Sequence, residues 1–297
     1  AARRNRALND CSTALRYSRS SEHPVGDYQL VLLRIPKQLS LLHYQLKVLR
    51  ECLSANTPVI SGGMDKHLPQ GLADSLELHI GPTQRYRGQR KARLFESRCV
   101  AALTPEFSFW REFHCSELGI DMRSAPNVFS GSQLDIGSRA LLAQMPRLPR
   151  ANNIVDLGCG NGVLGLAARQ QMPDAAITFI DESDRALHSA KCNIALNAPE
   201  SVAHVQYLWC DGFEEYSEDT PQLILCNPPF HQQHTVDDFS GRRLISQSAE
   251  ALAPGGELWL VANRHLPYKP VLRSNFQQIE QIDQNQKFIV WRAVKAA

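Results

Sequence analysis

The chain has 297 residues, 43% of them hydrophobic, and a formal net charge of +2. That is enough apolar chain for two ordinary domains with cores of their own. No apolar run approaches the roughly 20 residues that span a bilayer, and no signal-peptide pattern is visible in a sequence that starts at Ala1 rather than Met; the scattered cysteines read as reduced thiols, so a cytoplasmic protein is expected.

The charge is uneven. Residues 1–120 carry 17 Lys+Arg against 11 Asp+Glu, and residues 121–297 carry 15 against 19. A basic first half suits a polyanionic partner, although a solvated face has the same composition. In chain order, "QLVLLRIPK" (29–37) reads as a strand running into a turn, and "CLSANTPVI" (52–60) as a helix end followed by a strand. The run "QRYRGQRKAR" (84–93) sets out Arg85, Arg87, Arg90, Lys91 and Arg93 as phosphate contacts, with arginine or tyrosine stacking on bases. An exposed strand guarded by charges fits the same letters. The segment 121–149 is a bridge, with a Gly/Ser turn at Ser130 and a helix from about Ile136. The domain boundary is placed there, giving domains 1–122 and 123–297.

The second half alternates strands and helices. Strands are expected at 152–158, 175–181, 205–211, 222–227 and 257–263, and helices at 163–172, 182–197, 244–253 and 268–276. Two strands in succession then close the chain. This alternation predicts an α/β fold, mainly parallel, with helices on both faces and an antiparallel closing pair. The first half echoes it. "QLVLLRIPK" aligns with "QLILCNPPF" (222–230) at an offset of 193, and "CLSANTPVI" with "ALAPGGELW" (251–259) at 199. An internal duplication accounts for this order, with six extra residues in the second copy after Asn-Pro-Pro-Phe. The general likeness of βαβ units accounts for it equally well.

Four features carry chemistry. In "VDLGCGNGVLG" (155–165) a strand bearing Asp156 runs into Gly158, Gly160 and Gly162 and then a helix. Glycines there permit a tight turn and close approach of a nucleotide cofactor. The letters do not separate S-adenosylmethionine from NAD. Asp181 ends the next strand, where a carboxylate accepts from ribose hydroxyls or caps the following helix. Asp211 ends the third, facing an adenine amine or forming a turn with Gly212. Asn227-Pro228-Pro229-Phe230 end the fourth. Asn227 and the Pro228 carbonyl offer two acceptors for one amine, and Phe230 a stacking face. All four lie at strand carboxyl ends, the ligand rim of open α/β sheets. No metal is expected. The eight cysteines form no Cys-x-x-Cys pair, and His231 and His234 have no acidic or thiol co-ligand, so they read as substrate-loop residues.

These motifs resemble class I S-adenosylmethionine-dependent methyltransferases acting on planar amino groups. The longer "CNPPFHQQH", with "NVFS…LDIGSR" before it and "GGELWLVANRHLPY" after it, resembles the bacterial ribosomal RNA guanine-N2 methyltransferases, the large-subunit (23S) enzymes ahead of the small-subunit (16S) ones. The resemblance covers 121–297 closely and 28–98 more loosely. It implies two tandem Rossmann-like methyltransferase domains: a degenerate RNA-binding one and a catalytic one on a seven-stranded mixed sheet. It implies S-adenosylmethionine as cofactor, held by Phe129, Ser130, Leu134, Gly137, Asp156, Gly158, Gly160, Gly162, Asp181, Asp211 and Asn227. Guanine would be held by Asn227, Pro228, Pro229 and Phe230, with His231 joining the basic run on ribosomal RNA, and a monomer is expected. The chain between Asp10 and Tyr28 is shorter than is usual in that family, and Gly131 stands where an arginine is common. DNA-adenine and protein-glutamine methyltransferases share the site pattern but commonly end it in Tyr. A Rossmann dehydrogenase explains the glycines and Asp181 but leaves Asn-Pro-Pro-Phe without a task.

Overall fold

The computed structural model describes residues 16, 18–100, 108–129, 133–214, 216–228 and 238–297, with the side chain of Asp238 excepted. Two larger sheets and one hairpin organise them. The first sheet contains β1 (Val31–Arg34), β2 (Pro58–Met64), β3 (Thr83–Arg85) and β4 (Ala92–Arg98), with helices α1 (Leu39–Cys52) and α2 (Leu72–His79). A hairpin follows, β5 (Arg111–Cys115) and β6 (Ile120–Ser124), and then helix α3 (Ile136–Leu142). The second sheet is built from β7 (Asn153–Leu157), α4 (Val163–Gln171), β8 (Ala176–Asp181), α5 (Asp184–Asn197), β9 (Val205–Trp209), β10 (Leu223–Cys226), α6 (Asp238–Ala251), β11 (Glu257–Asn263), α7 (Tyr268–Asn275), β12 (Gln278–Gln284) and β13 (Phe288–Val294).

The second sheet has seven strands in the order β12-β13-β11-β10-β7-β8-β9. Its five central and outer strands from β11 to β9 are parallel, and β13 and β12 close it antiparallel. Every side chain of β10 (Leu-Ile-Leu-Cys) is buried, as is all of β11 except Asn263. Continuous apolar runs are what a strand covered on both faces requires. One core, around Phe179, Leu225 and Trp259, lies on the α3–α4–α5 face, and the other, around Ile224, Leu258 and Tyr268, lies on the α6–α7 face. From β7 the chain moves to β8 on one side and later returns to β10 on the other. The switch point therefore lies between β7 and β10, and Cys226 pairs with Leu157 at its rim. A ligand crevice opens there by topology alone.

The duplication is visible in the register. The first sheet runs β1-β2-β4-β3, the order of β10-β11-β13-β12, with the same parallel and antiparallel pairings. Val31 pairs with Val59, and the residues aligned with them, Ile224 and Leu258, also pair. Helices α1 and α6 both have 14 residues. The first unit thus repeats four of the seven strands of the second sheet. Its outward face differs in cover: Leu32 is 76% exposed and Leu94 53%, whereas their counterparts Leu225 and Val290 are buried beneath α3.

Two elements depart from expectation. Helix α6 spans Asp238–Ala251 rather than 244–253, and Gly241 within it is a packing position. A Cβ on Gly241 would overlap the Tyr268 hydroxyl. The β5–β6 hairpin was not foreseen. Side chains of α5 hold it: Asn193 Oδ1 accepts from Arg123 N at 2.9 Å, and Asn193 Nδ2 donates to Arg123 O at 2.8 Å. Among the described residues no helix is long and apolar enough to cross a membrane.

Candidate active site

The glycine turn after β7 contains three residues with φ of 68°, 54° and 83°, at Gly158, Gly160 and Gly162. Left-handed backbone at three positions in five excludes most other residues. Their surroundings separate their tasks. A Cβ on Gly158 or Gly160 would meet nothing within 4 Å, so both backbones face open space. A Cβ on Gly162 would lie 2.8 Å from Ala190 Cβ on α5, so Gly162 serves helix packing. The turn is tied to β8, because Gly158 N and Cys159 N both donate to Ile180 O, at 2.8 and 3.0 Å.

Beyond the turn lies a cavity of about 530 Å³. It gathers Phe129, Gly158, Gly160, Asp181, Asp211, Asn227 and Pro228 from separate stretches of chain. Asp181 receives Gly160 N on Oδ2 at 3.0 Å and Ser183 N on Oδ1 at 2.8 Å. Burial raises its pKa, and these two N–H groups oppose the rise. A carboxylate has about four acceptor positions, so it retains capacity for hydroxyl donors. Asp211 forms an ion pair with Arg243 of α6, which also lines the cavity. Phe129 stands at the cavity with 64% of its surface exposed.

Asn227 is the most constrained polar group. Its Nδ2 donates to Ser138 Oγ at 2.9 Å and to Asp135 Oδ1 at 3.2 Å. Its Oδ1 is buried and has no hydrogen-bond partner among the described residues. A buried acceptor left unpaired carries a desolvation penalty of about 1–3 kcal/mol, which a ligand N–H would relieve.

Four expected cofactor contacts lie outside the cavity lining. Leu134 is 6% exposed and belongs to the core beneath α3. Gly137 leaves room for Asn227, since a Cβ there would sit 3.1 Å from Asn227 Oδ1. Gly162 packs against α5 as described. Asp156 is 1% exposed and accepts from Gly165 N at 2.8 Å, holding the start of α4 to β7. Burial pushes the Asp156 carboxyl up to about 8. Ser130, Pro229, Phe230 and His231 lie outside the described residues.

The basic run forms the β3–β4 hairpin of the first unit. Arg87, Arg90 and Lys91 are exposed at its turn, where Arg90 and Lys91 take φ of 48° and 62°. Arg93 is engaged, its Nε donating to Asp65 Oδ1 at 2.9 Å. Arg85 and Arg93 border a second cavity beside Asp65 and the start of α2. Among the described residues no group of three or more His, Cys, Asp or Glu side chains could hold a metal ion.

The sequence reading missed Asp135, Ser138 and Arg243. Asp135 was detectable as an N-cap, since its Oδ1 accepts from Ser138 N at 3.0 Å to start α3. Its contact with Asn227, 92 residues away, has no local signature.

Residues 119–292 match the model of the methyltransferase small domain, and residues 1–101 that of the RLMG N-terminal domain. The ribosomal RNA large subunit methyltransferase G of Ectopseudomonas mendocina (strain ymp) is 41% identical over 282 residues, covering 95% of this chain and 75% of that protein. Its namesake from Stutzerimonas stutzeri (strain A1501) is 39% identical, covering 100% and 79%. The solved T. thermophilus 16S rRNA N2 G1207 methyltransferase (RsmC), in complex with AdoMet and guanosine, superposes with a TM-score of 0.76 at 25% identity, covering 92% of this chain and 74% of that one. A strand order repeated in both sheets and a glycine-turn cavity lined by Asn227 therefore accompany sequence likeness along nearly all of this chain, and the chain belongs to the ribosomal RNA large subunit methyltransferase G family.

Proposed function

We propose that this chain transfers a methyl group from S-adenosylmethionine to the exocyclic N2 amine of one guanine in large-subunit (23S) ribosomal RNA. The observation that carries the reading is the buried, unpartnered Asn227 Oδ1 at the cavity that the glycine turn opens. The large-subunit substrate is supported by the names of relatives at 39–41% identity. The amine at N2 is supported by the structural neighbour, a 16S rRNA N2 G1207 methyltransferase solved with guanosine. That same neighbour acts on 16S rRNA and keeps the small-subunit reading as the alternative.

The cavity suits the cofactor. Gly158 and Gly160 leave backbone space for its amino-acid end, Asp181 has acceptor capacity for ribose hydroxyls, and Asp211 with Arg243 borders the adenine side. When bound, S-adenosylmethionine supplies an electrophilic methyl carbon whose bond electrons depart with sulfur. The chain's own task is to present the nucleophile. A guanine N2 lone pair is delocalised into the ring. Two accepting bonds, from Asn227 Oδ1 and the Pro228 carbonyl, favour density on nitrogen and a more tetrahedral amine. They accelerate the step insofar as they strengthen as positive charge develops. The N2 lone pair forms the new N–C bond, and one N2 proton then leaves to solvent because the methylated ammonium is strongly acidic. Alignment rather than a strong base is the requirement.

Residues 1–122 are assigned to RNA capture and 123–297 to catalysis, the division falling within the β5–β6 hairpin. A duplex guanine must leave its stack to reach the rim, at a cost of a few kcal/mol that phosphate contacts by Arg87, Arg90 and Lys91 offset. The reading includes a monomer acting where ribosomal RNA resides. Mass mapping of 23S and 16S rRNA nucleosides, incubated with and without the protein and S-adenosylmethionine, tests it. N2-methylguanosine gained in 23S RNA is expected. Methylation confined to 16S RNA would replace this assignment with the small-subunit rival, and transfer of a labelled methyl group to DNA or to a protein glutamine but not to rRNA, assayed in parallel, would replace it with that rival. NAD binding in place of S-adenosylmethionine would overturn the reaction class.

A further inference from the structure

We propose that Asp135 and Ser138 are positioning residues that set which end of the Asn227 amide faces the substrate. The proposal rests on the methyl-transfer reading above. An amide has two nearly isosteric orientations. One ties the NH₂ to α3 and leaves the oxygen to accept from an amine. The other presents NH₂ and repels it. Packing alone does not choose between them, so the surrounding hydrogen bonds must.

The choice is made from α3. Both Nδ2 hydrogens of Asn227 are used, one by Ser138 Oγ at 2.9 Å and one by Asp135 Oδ1 at 3.2 Å. In the opposite orientation the amide oxygen would face the Asp135 carboxylate, an acceptor against an acceptor. Asp135 Oδ1 also accepts from Ser138 N at 3.0 Å, so one atom both starts the helix and anchors the amide. Ser138 is 5% exposed, which keeps water from substituting for its hydroxyl. Gly137 between them leaves the approach free, its missing Cβ being 3.1 Å from Asn227 Oδ1 and 3.4 Å from Nδ2. The device therefore also selects the substrate. A ring edge bearing an amine is accepted, and the same edge bearing a carbonyl meets an acceptor.

The test uses the full chain with Ser138→Ala, Asp135→Gly, their combination, Asp135→Asn and Asn227→Ala. Glycine is tolerated at an N-cap, so Asp135→Gly removes the acceptor with little damage to α3, whereas asparagine retains both cap and acceptor. Asparagine side-chain amides, ¹⁵N-labelled, are followed by solvent exchange without RNA, and the Asn227 pair is identified by its loss in Asn227→Ala. Methylation of rRNA gives kcat and KM, and calorimetry gives cofactor affinity. The expected result is faster Asn227 exchange in Ser138→Ala and Asp135→Gly. Their kcat should fall by roughly ten- to a hundredfold at nearly constant cofactor affinity. Asp135→Asn should restore most of what Asp135→Gly loses. Unchanged exchange and kcat in the combined variant would overturn the proposal. So would equal losses in Asp135→Asn and Asp135→Gly, or a cofactor affinity that falls in step with kcat. The exchange measurement needs no substrate. A wild-type protein with a protected Asn227 amide but no rRNA methylation would refute the function and leave the positioning intact.

Discussion

Gly137→Ala should leave the protein about as stable as before while slowing methyl transfer. Position 137 is the second residue of α3, where alanine is favoured over glycine by up to about 1 kcal/mol. The added Cβ meets Asp135 Oδ1 at 3.0 Å and Asn227 Oδ1 at 3.1 Å, closer than such contacts normally settle. Both side chains must yield by a few tenths of an ångström. Turning Asn227 about 30° off its rotamer costs about 0.5–1.5 kcal/mol, which cancels the helix gain. Alignment is less forgiving, since a displacement of 1 Å can cost about a hundredfold in rate. A shift of about 0.3 Å then scales to roughly a three- to tenfold loss of kcat. Calorimetric melting and single-turnover methylation of rRNA measure the two effects separately. An unchanged kcat, or a kcat loss matched by a fall in melting temperature, would refute the reasoning.

Gly165→Ala should act on stability instead. A Cβ there would overlap the ring of the fully buried Phe179, so urea denaturation should report a loss of about 1–3 kcal/mol or more, and wild-type stability would count against the packing role. The first unit should weaken in acid. Burial lowers the pKa of both His43 and His79 below 6.5. Their neutral forms contribute stability above the unfolded value, and it is lost as pH falls through the folded ones, because the unfolded chain then binds protons that the native state refuses. Urea midpoints should therefore drop between pH 7.5 and pH 5.5, and replacing both with Gln should flatten that slope. A slope that survives the double change would assign it elsewhere. Neutralising Arg90 and Lys91 should weaken RNA binding and reduce its salt dependence by about 0.7 per charge for single-stranded contacts. Neutralising Arg93 should do less, because Asp65 already engages it. An equal effect from Arg93 would show that its ion pair opens on RNA.

Much of this protein is written locally. Strands such as Leu223–Cys226 are apolar over their whole length because both faces are covered, and the glycine turn is legible because left-handed backbone needs glycine. Asp181 was placed by the strand it ends, and the duplicated unit by an aligned pair of strands whose register the structure repeats. Other features were not legible, for one physical reason: their partners are distant in sequence. Asp156 has the residue type of a ligand contact, yet the sheet buries it under α4, where it serves Gly165. Asp211 reads as an adenine contact or a turn residue, and its ion pair with Arg243 of α6 has no local signature. Gly241 has no local signature of its task, which is to leave space for Tyr268. The sequence by itself determined the alternating fold, the cofactor turn and the presence of Asn227 at a strand end. Only the tertiary structure decided which way that amide points, because the order of strands β10 and β7 brings Asn227 beside a helix start 92 residues earlier in the chain.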